Sequence, residues 1–225
     1  MSTRMRNMNE RRDRILDAAR SIIAENGFDS LTTRGLAQVA GVSAPTLYNL
    51  IGGKDDIVHA LAKAGAEHVQ QRLSLLEFES CLEWIEAIAD EAVDMVEGDQ
   101  TYHRALSFCQ DRIAGGYGLR GDVGSHPALG EAAMTIALPA CEAARAKGLL
   151  RGNVSNRDIT EQMFYVYLGP TREWAFGTIS LAMSRYRIKR GFILALAADA
   201  SDMFRHELLE RLATLAQAAA ERSAA

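Results

Sequence analysis

The chain has 225 residues and a net charge of −4, and 48% of its residues are hydrophobic. This hydrophobic fraction is enough for a sizeable core and excludes a disordered polar chain. Its three cysteines are odd in number and widely spaced, so they do not indicate a disulfide framework. Residues 1–14 are charged and no apolar run long enough to cross a membrane follows, so we expect a cytoplasmic protein.

The net charge is unevenly distributed along the chain. Residues 1–20 contain six arginines and three acidic residues, whereas residues 61–225 contain 17 basic and 22 acidic residues. Such an asymmetry is typical of a chain whose two parts have different tasks. The acidic total therefore does not exclude nucleic acid as a partner of the N-terminal part.

The N-terminal region begins with a polar stretch that is followed by a helical pattern. We expect residues 1–9 to form a loose arm. Apolar residues then recur at helical spacing from Ile15 to Ile23, which predicts a helix over about residues 10–25. Asn26 and Gly27 end this helix, because both residue types tolerate a positive φ.

Two short helices separated by a glycine turn come next, with the spacing of a helix-turn-helix. A threonine at 32–33 is placed to cap a helix that runs through Ala40, and Ser43 is placed to cap another over residues 44–51. Pro45 falls in the first turn of the latter, where its missing N–H is harmless. Other helical hairpins with a glycine turn have similar spacing, so the spacing alone leaves a purely structural hairpin open.

The remainder of the chain has helical patterns and no strand-like alternation, so we predict an all-α protein. The expected helices cover about residues 54–76, 80–97, 102–113, 127–147, 156–177 and 181–220, the last broken near residue 200, with a glycine-rich loop over 114–126. Apolar stripes over residues 159–174 and 188–196 are the expected dimer faces, because a long exposed stripe needs a partner helix. We interpret the basic cluster over 185–190 as a solvated face.

Residues 31–54 resemble the DNA-binding half of the tetracycline-repressor (TetR) family. They combine Thr-x-x-x-Leu-Ala, Ala-Gly-Val-Ser and Thr-Leu-Tyr ahead of a lysine, and residues 15–20 and 26–28 fit the family's first helix. The resemblance implies a transcription regulator, usually a repressor, that is a homodimer and binds a small effector in its C-terminal helices. We therefore expect a DNA-binding domain with its arm over residues 1–55, and a ligand-binding and dimerisation domain over residues 56–225.

The DNA-binding candidates follow from how bases and phosphates are recognised. Asn49 can pair with adenine and Arg34 with guanine. Residues 35–53 carry no charge, so attraction to phosphates must come from Lys54, the helix N-termini and the arginine-rich arm, for which a solubilising tail is the alternative. The candidate DNA-binding residues are Thr33, Arg34, Ser43, Ala44, Pro45, Thr46, Tyr48, Asn49 and Lys54.

Two of these positions leave alternatives open. Tyr48 is expected to contact a phosphate, with a packed helix residue as the alternative, and Asn49 could instead be a solvated polar residue. Leu50 stands where the family often has an aromatic residue or histidine, and its side chain cannot hydrogen-bond a phosphate.

Polar, sulfur-containing and aromatic side chains on otherwise apolar helices are candidates for an effector pocket. The candidate ligand-binding residues are Trp84, His103, Cys109, Arg112, Met134 and Tyr165. Packing in a core or on the surface is the alternative for each of them. The cysteines lack CxxC spacing and the histidines lack i, i+4 spacing, so we expect no metal site and no cofactor, and a thiol sensor is a minor alternative.

No Ser/His/Asp order, glycine-rich phosphate loop or HExxH motif is present, so we expect no catalytic residue and no enzyme. We expect a dimeric repressor that a small-molecule effector releases from a palindromic operator in double-stranded DNA. The alternative is a dimeric small-molecule-binding adaptor or carrier with a weak or lost DNA-binding head. The uncharged recognition segment and Leu50 favour this alternative.

Overall fold

The computed structural model describes residues 3–113 and 127–224, and the side chains of residues 5–110 and 134–221. Most of the described residues are helical. The helices are α1 (Thr3–Asn26), α2 (Thr33–Val39), α3 (Ala44–Leu50), α4 (Lys54–Leu73), α5 (Cys81–Gly98), α6 (Gln100–Ile113), α7 (Pro127–Ala146), α8 (Asn156–Ala175), α9 (Leu181–Ala197) and α10 (Asp202–Ala224). A 3-10 turn over Phe28–Ser30 follows α1. The described ranges contain no strand, so the predicted all-α fold with an N-terminal helix-turn-helix is confirmed. The predicted loop over residues 114–126 lies outside the described residues.

The helix α1 begins earlier than predicted. Residues 3–9 belong to it, so the prediction of a loose arm is wrong. Between Thr3 and Asn26 there is no glycine or proline, and arginine, methionine and glutamate are all good helix formers. Because a packed helix adds residues at its end without a new nucleation cost, the polar stretch continues the helix.

The described residues form two compact units, and the first comprises Met1–Gly65 and Asp99–Leu129. Its core is built by the apolar sides of α1, α2, α3, the start of α4, and α6. Ile15, Leu36, Leu47 and Ile57 are completely buried in it. Burying such side chains stabilises a fold by about 1.5–3 kcal/mol each before entropy is counted, and this core fixes α3 relative to α1 and α2.

The second unit comprises Ala66–Gly98 and Gly130–Ala225. Its main core collects apolar side chains from the end of α4 and from α5, α7, α8, α9 and α10. Gly191 lets α8 and α9 approach closely, since a Cβ at this position would lie 2.1 Å from Cγ1 of Val166. These two helices therefore form a tight hairpin.

The predicted dimer faces are wrong, because both stripes pack inside a single chain. Ile159 and Met163 of α8 and Ile188 and Leu196 of α9 are buried in the main core of the second unit. Trp174 is buried against Val96 and Ala175 in a smaller cluster. Apolar periodicity predicts that a helix face is buried, but it does not show whether the residues that bury it belong to the same chain or to a second copy.

The basic cluster on α9 is only partly a solvated face, because Arg190 is exposed while its other three members pair with carboxylates. Arg185 donates to carboxylates of Asp94 at 2.6 Å and Asp90 at 3.1 Å, and Lys189 pairs with Asp90 at 2.6 Å. Arg187 also pairs with a carboxylate, that of Glu173. Burial lowers the pKa of Arg185, but the hydrogen bonds to Asp94 and Asp90 outweigh this and raise it overall. The cluster therefore ties α9 to α5 and α8.

Candidate nucleic-acid interface

Local hydrogen bonds hold α2 and α3 at their N-termini. The N–H of Gly35 donates to Oγ1 of Thr32 at 3.1 Å, and the N–H of Thr46 donates to Oγ of Ser43 at 3.3 Å. The hydroxyls of Ser43 and Thr46 are also 2.7 Å apart. Gly41 takes a φ of 65° in the turn between the helices, a conformation that favours glycine. Ser43 and Thr46 thus orient α3, and only their remaining hydrogen-bonding capacity is available to a ligand.

The recognition helix α3 has one buried side and one exposed side. Leu47 is completely buried and anchors the helix to the core of the first unit. Pro45 and Asn49 are exposed, and Tyr48 is 58% exposed, so Tyr48 is not a packed core residue. Leu50 packs against the same core as Leu47. The exposed side of α3 therefore offers a phenol, an amide and a proline ring without any charge.

The helix α2 carries two exposed residues that sequence reasoning missed. Gln38 lies one turn after the exposed Arg34 on the same side of α2, and its amide can pair with adenine. Val39 is 64% exposed, and its methyl groups can contact a thymine methyl. The i, i+4 spacing from Arg34 to Gln38 was visible in the sequence and could have identified Gln38.

The remaining predicted positions lie at the helix starts. Thr33 and Ala44 are half-buried first residues of α2 and α3. Lys54 is the half-buried first residue of α4, and its Nζ lies 3.9 Å from the centre of the Phe28 ring. Such a cation–π contact restrains the ammonium group while leaving it accessible from the other side.

Gly52 and Gly53 form the turn that leads into Lys54. The N–H of Gly53 donates to Oδ2 of Asp56 at 2.8 Å, which caps α4. Gly52 has a φ of 122°, and a Cβ there would lie 2.3 Å from the Asp56 carboxylate. Both the backbone conformation and the lack of space therefore require glycine at position 52.

The predicted ligand-binding residues are divided between the two units. His103 and Cys109 lie on α6 and are buried in the first unit. In the second unit, Trp84 stacks on Phe78 with ring centres 5.2 Å apart, Met134 is half-buried, and Tyr165 is exposed. The side chain of Arg112 lies outside the described residues. Neither unit by itself brings the whole set together.

The start of α6 is held against α1 by a small charged and aromatic cluster. The N–H of Tyr102 donates to Oδ1 of Asp99 at 3.2 Å, and the Arg20 guanidinium lies 4.4 Å from the Tyr102 ring centre. Arg20 also approaches Oδ2 of Asp99 at 3.9 Å. Burial raises the pKa of Tyr102 to about 12, although the charge of Arg20 opposes it.

His103, the neighbour of Tyr102, is only 7% exposed. Within the described residues its Nε2 has no hydrogen-bond partner. Burial and, secondarily, the positive charge of Arg20 lower the pKa of His103 to about 4. The imidazole is therefore neutral at physiological pH.

The thiols and carboxylates do not form a reactive or metal-binding site in the described part of the chain. Burial raises the pKa of Cys81 to about 11 and that of Cys141 to about 12, which opposes thiolate formation. Among the described residues, no three His, Cys, Asp or Glu side chains are grouped as metal ligands. None of the described helices is both long enough and apolar enough to span a membrane.

The sequence of residues 15–61 matches the model of a known protein family. The profile described as "Bacterial regulatory proteins, tetR family" matches residues 15–61. Residues 15–61 thus carry the sequence pattern of this family. The match includes α2, the turn, α3 and the beginning of α4, and thus every predicted DNA-binding residue.

Similar proteins extend the comparison beyond this domain. The class D tetracycline repressor protein of Escherichia coli is 45% identical over 51 residues, which covers 23% of this chain and 23% of the relative. A TetR transcriptional regulator from Rhodococcus sp. RHA1 has a TM-score of 0.66 at 17% identity, over 84% of this chain and 97% of that one. FadR of Thermus thermophilus, a transcriptional repressor in complex with lauroyl-CoA, has a TM-score of 0.66 at 18% identity, over 83% and 93% of the two chains. The sequence match thus covers less than a quarter of this chain and of the curated relative, and the fold similarity covers most of the chain.

Proposed function

We propose that this protein is a DNA-binding transcriptional repressor that a small-molecule effector releases from a palindromic operator. The observation that carries the proposal is the two-sided recognition helix, in which the buried Leu47 anchors α3 while Tyr48 and Asn49 face solvent. A helix held in this way at the surface can enter the major groove of B-DNA. The tetR-family match over the same residues supports this use.

Each side chain of the interface has a distinct task in this proposal. Asn49 and Arg34 read base edges, because an amide can pair with adenine and a guanidinium with guanine. Tyr48 and Lys54 bind phosphates and set the register of α3 in the groove. Thr33, Ser43, Ala44, Pro45 and Thr46 place the N-termini of α2 and α3, whose N–H groups favour phosphate oxygens.

We place dimerisation on the outer side of the α8–α9 hairpin. Tyr165 on α8, Phe176 directly after α8 and Leu194 on α9 are all more than 40% exposed. Regulators of this family are typically dimers. A second copy packed on this side would bury the three apolar side chains, and its two-fold axis would require a palindromic operator.

In the proposed division of labour, residues 1–55 bind DNA, and residues 56–225 dimerise and bind the effector in the cytoplasm. Effector binding shifts the population toward a dimer whose two α3 helices no longer fit successive major grooves. This mechanism contains no catalytic step. Of the predicted effector contacts, we retain Trp84 and Met134, which both lie in the second unit.

Selection of bound duplexes from a randomised DNA pool tests the proposal. We expect the selected duplexes to share a palindromic sequence. Arg34→Ala or Asn49→Ala should weaken binding to that sequence by about 1–3 kcal/mol and relax the preference at one base pair per half-site. Arg190→Ala, which removes an exposed arginine in the second unit, is the matched control and should leave binding unchanged. Absence of any preferred duplex would refute the proposal.

A dimeric carrier or adaptor with a weak or lost DNA-binding head is the second candidate. It is favoured by the uncharged residues 35–53 and by Leu50, which packs into the core where the family often has a polar or aromatic residue. In that case Arg34→Ala and Tyr48→Ala would not change binding to any duplex. Loss of duplex affinity in both variants would eliminate this candidate.

A further inference from the structure

The first turns of α1 project beyond the core of the first unit. Ile15 is the first buried residue of the helix, and the described side chains before it are exposed or, at Arg12, half-buried. Residues 3–14, which we call the arm, are helical and about 18 Å long. The arm precedes the tetR-family match at residues 15–61, so this match assigns it no task.

The acidic residues near the arm lie on one side of α1. At 100° per residue, Glu10, Asp13 and Asp17 fall within an arc of about 60°. Arg6 lies within the same arc. This acidic side points away from the side on which α1 is buried.

Of the other arginines whose side chains are described, Arg11 and Arg12 lie on the opposite side of the arm, and Arg14 lies next to the acidic side. Arg11, Arg12 and Arg14, which we call the basic face, lie on the half of the helix that also carries Ile15. Within the described residues, none of the three forms a hydrogen bond or an ion pair. By contrast, Arg20 contacts Asp99 and Tyr102. The positive charges of the basic face are therefore available to bind an anionic partner.

We propose that the basic face of the arm binds the phosphate backbone of DNA beside the segment that α3 reads. The inference rests on the proposed function. It answers a requirement of that function, because residues 35–53 are uncharged and affinity for duplex DNA depends on neutralised phosphates. Guanidinium groups suit this task, since each can bind phosphate oxygens in a bidentate manner.

A continuous helix fixes where these arginines lie. The part of α1 that follows the arm packs against α2 and α3, and the arm continues the same helix without a break. The basic face is thus held at a constant distance and direction from α3, unlike charges on a loose tail. Its contribution should therefore depend on helical phase as well as on net charge.

The first test measures the salt dependence of binding to a fluorescent duplex of mixed sequence by anisotropy. Between about 0.05 and 0.2 M salt, removing the three arginines (R11A/R12A/R14A) should lower the slope of log K against log salt by about 2–3. At about 0.1 M salt the affinity should fall roughly tenfold for each phosphate contact that is lost. The matched single variants are Arg11→Ala, which should lower the slope by about 1, and Arg6→Ala, which should leave it unchanged.

The second test changes the helical phase at constant charge. Inserting two alanines between Arg14 and Ile15 rotates the arm by about 200°, which brings Asp13 to the position of Arg11 and Arg14 to the position of Arg12. We expect this insertion to lower the slope by about 2, which is less than the triple substitution does if all three arginines contact phosphates, because one arginine remains on the basic face. Helical content and the urea midpoint should match those of the wild type, because no buried residue changes.

Each outcome decides one claim. A wild-type protein that does not bind duplex DNA overturns the proposed function and this inference together. Wild-type binding whose slope is unchanged in the triple variant overturns the inference alone and leaves the proposed function standing. Arm-dependent binding to phosphatidylserine vesicles, with duplex binding unaffected, would overturn it in favour of a membrane surface.

Discussion

His103 should make the stability of the protein depend on pH. Its imidazole is buried in the first unit, and burial together with the charge of Arg20 lowers its pKa to about 4, compared with an ordinary value of 6.5. The unfolded chain therefore binds this proton more readily than the folded chain does. Acid favours the unfolded state as pH falls below about 6.5, and the loss is complete below about 4.

The magnitude follows from the interval that the titration crosses. Between pH 8 and pH 5 the histidine of the unfolded chain becomes protonated while folded His103 stays neutral, over about 1.5 pH units below its ordinary pKa. At about 1.4 kcal/mol per unit, the free energy of unfolding should fall by about 2 kcal/mol. Because His103 is only 7% exposed, solvent screens its interactions little.

Urea unfolding followed by circular dichroism at pH 8 and pH 5 measures this loss. The comparison is between the wild type and His103→Gln, whose side chain does not titrate in this range, at one protein concentration and one ionic strength. We expect the pH-dependent loss to shrink by about 2 kcal/mol in the variant. His68→Gln, which removes an exposed histidine, is the control for losing an imidazole.

An equal loss of stability on acidification in the wild type and in His103→Gln would refute the reasoning. A direct titration of the His103 ring protons by NMR gives a second check. A midpoint near 6.5 would show that the imidazole is solvated and that the packing of α6 against α1 is looser than described.

Three further substitutions separate core, turn and loop contributions to stability. Leu47→Ala should lower the free energy of unfolding by about 3 kcal/mol, because it leaves a cavity in the core. Tyr48→Ala should change the free energy of unfolding by less than about 0.5 kcal/mol, because Tyr48 is exposed. Equal effects of the two substitutions in urea unfolding would contradict a buried and an exposed side of α3. Gly52→Ala should lower the free energy of unfolding by more than about 1 kcal/mol, because Gly52 has a positive φ and no space for a Cβ. Gly98→Ala, whose Cβ would meet open space, should not cause such a loss. An unchanged free energy of unfolding in Gly52→Ala would show that the turn relaxes. Asp199→Asn should lower stability by about 2–3 kcal/mol, because its buried carboxylate accepts three backbone N–H bonds, and an unchanged Tm would contradict this.

Much of the recognition domain could be predicted because its signals are local. Thr32 and Ser43 cap helices through bonds to residues three positions later, and Gly41 supplies the positive φ of the turn. Such interactions involve neighbours in the chain, so the residue types at fixed spacing determine them. The same reasoning located the break between α9 and α10.

The errors arose where a residue's partner is distant in sequence. The apolar sides of α8 and α9 have the same periodicity whether they are covered by their own chain or by a second copy. The basic cluster on α9 was interpreted as solvated because its partners, Asp90 and Asp94, lie about 95 positions earlier. Polar composition does not exclude helix at residues 3–9, because arginine, methionine and glutamate favour helix without any buried face.

The sequence by itself determined the helix class and the positions of α2 and α3, because caps, turns and apolar periodicity act over a few residues. Only the tertiary structure decided which side of each helix is covered and which charges are already paired. Lys54 against Phe28 and Arg20 against Tyr102 are contacts of that kind. They depend on packing between distant segments, and the burial that results also sets the protonation of His103.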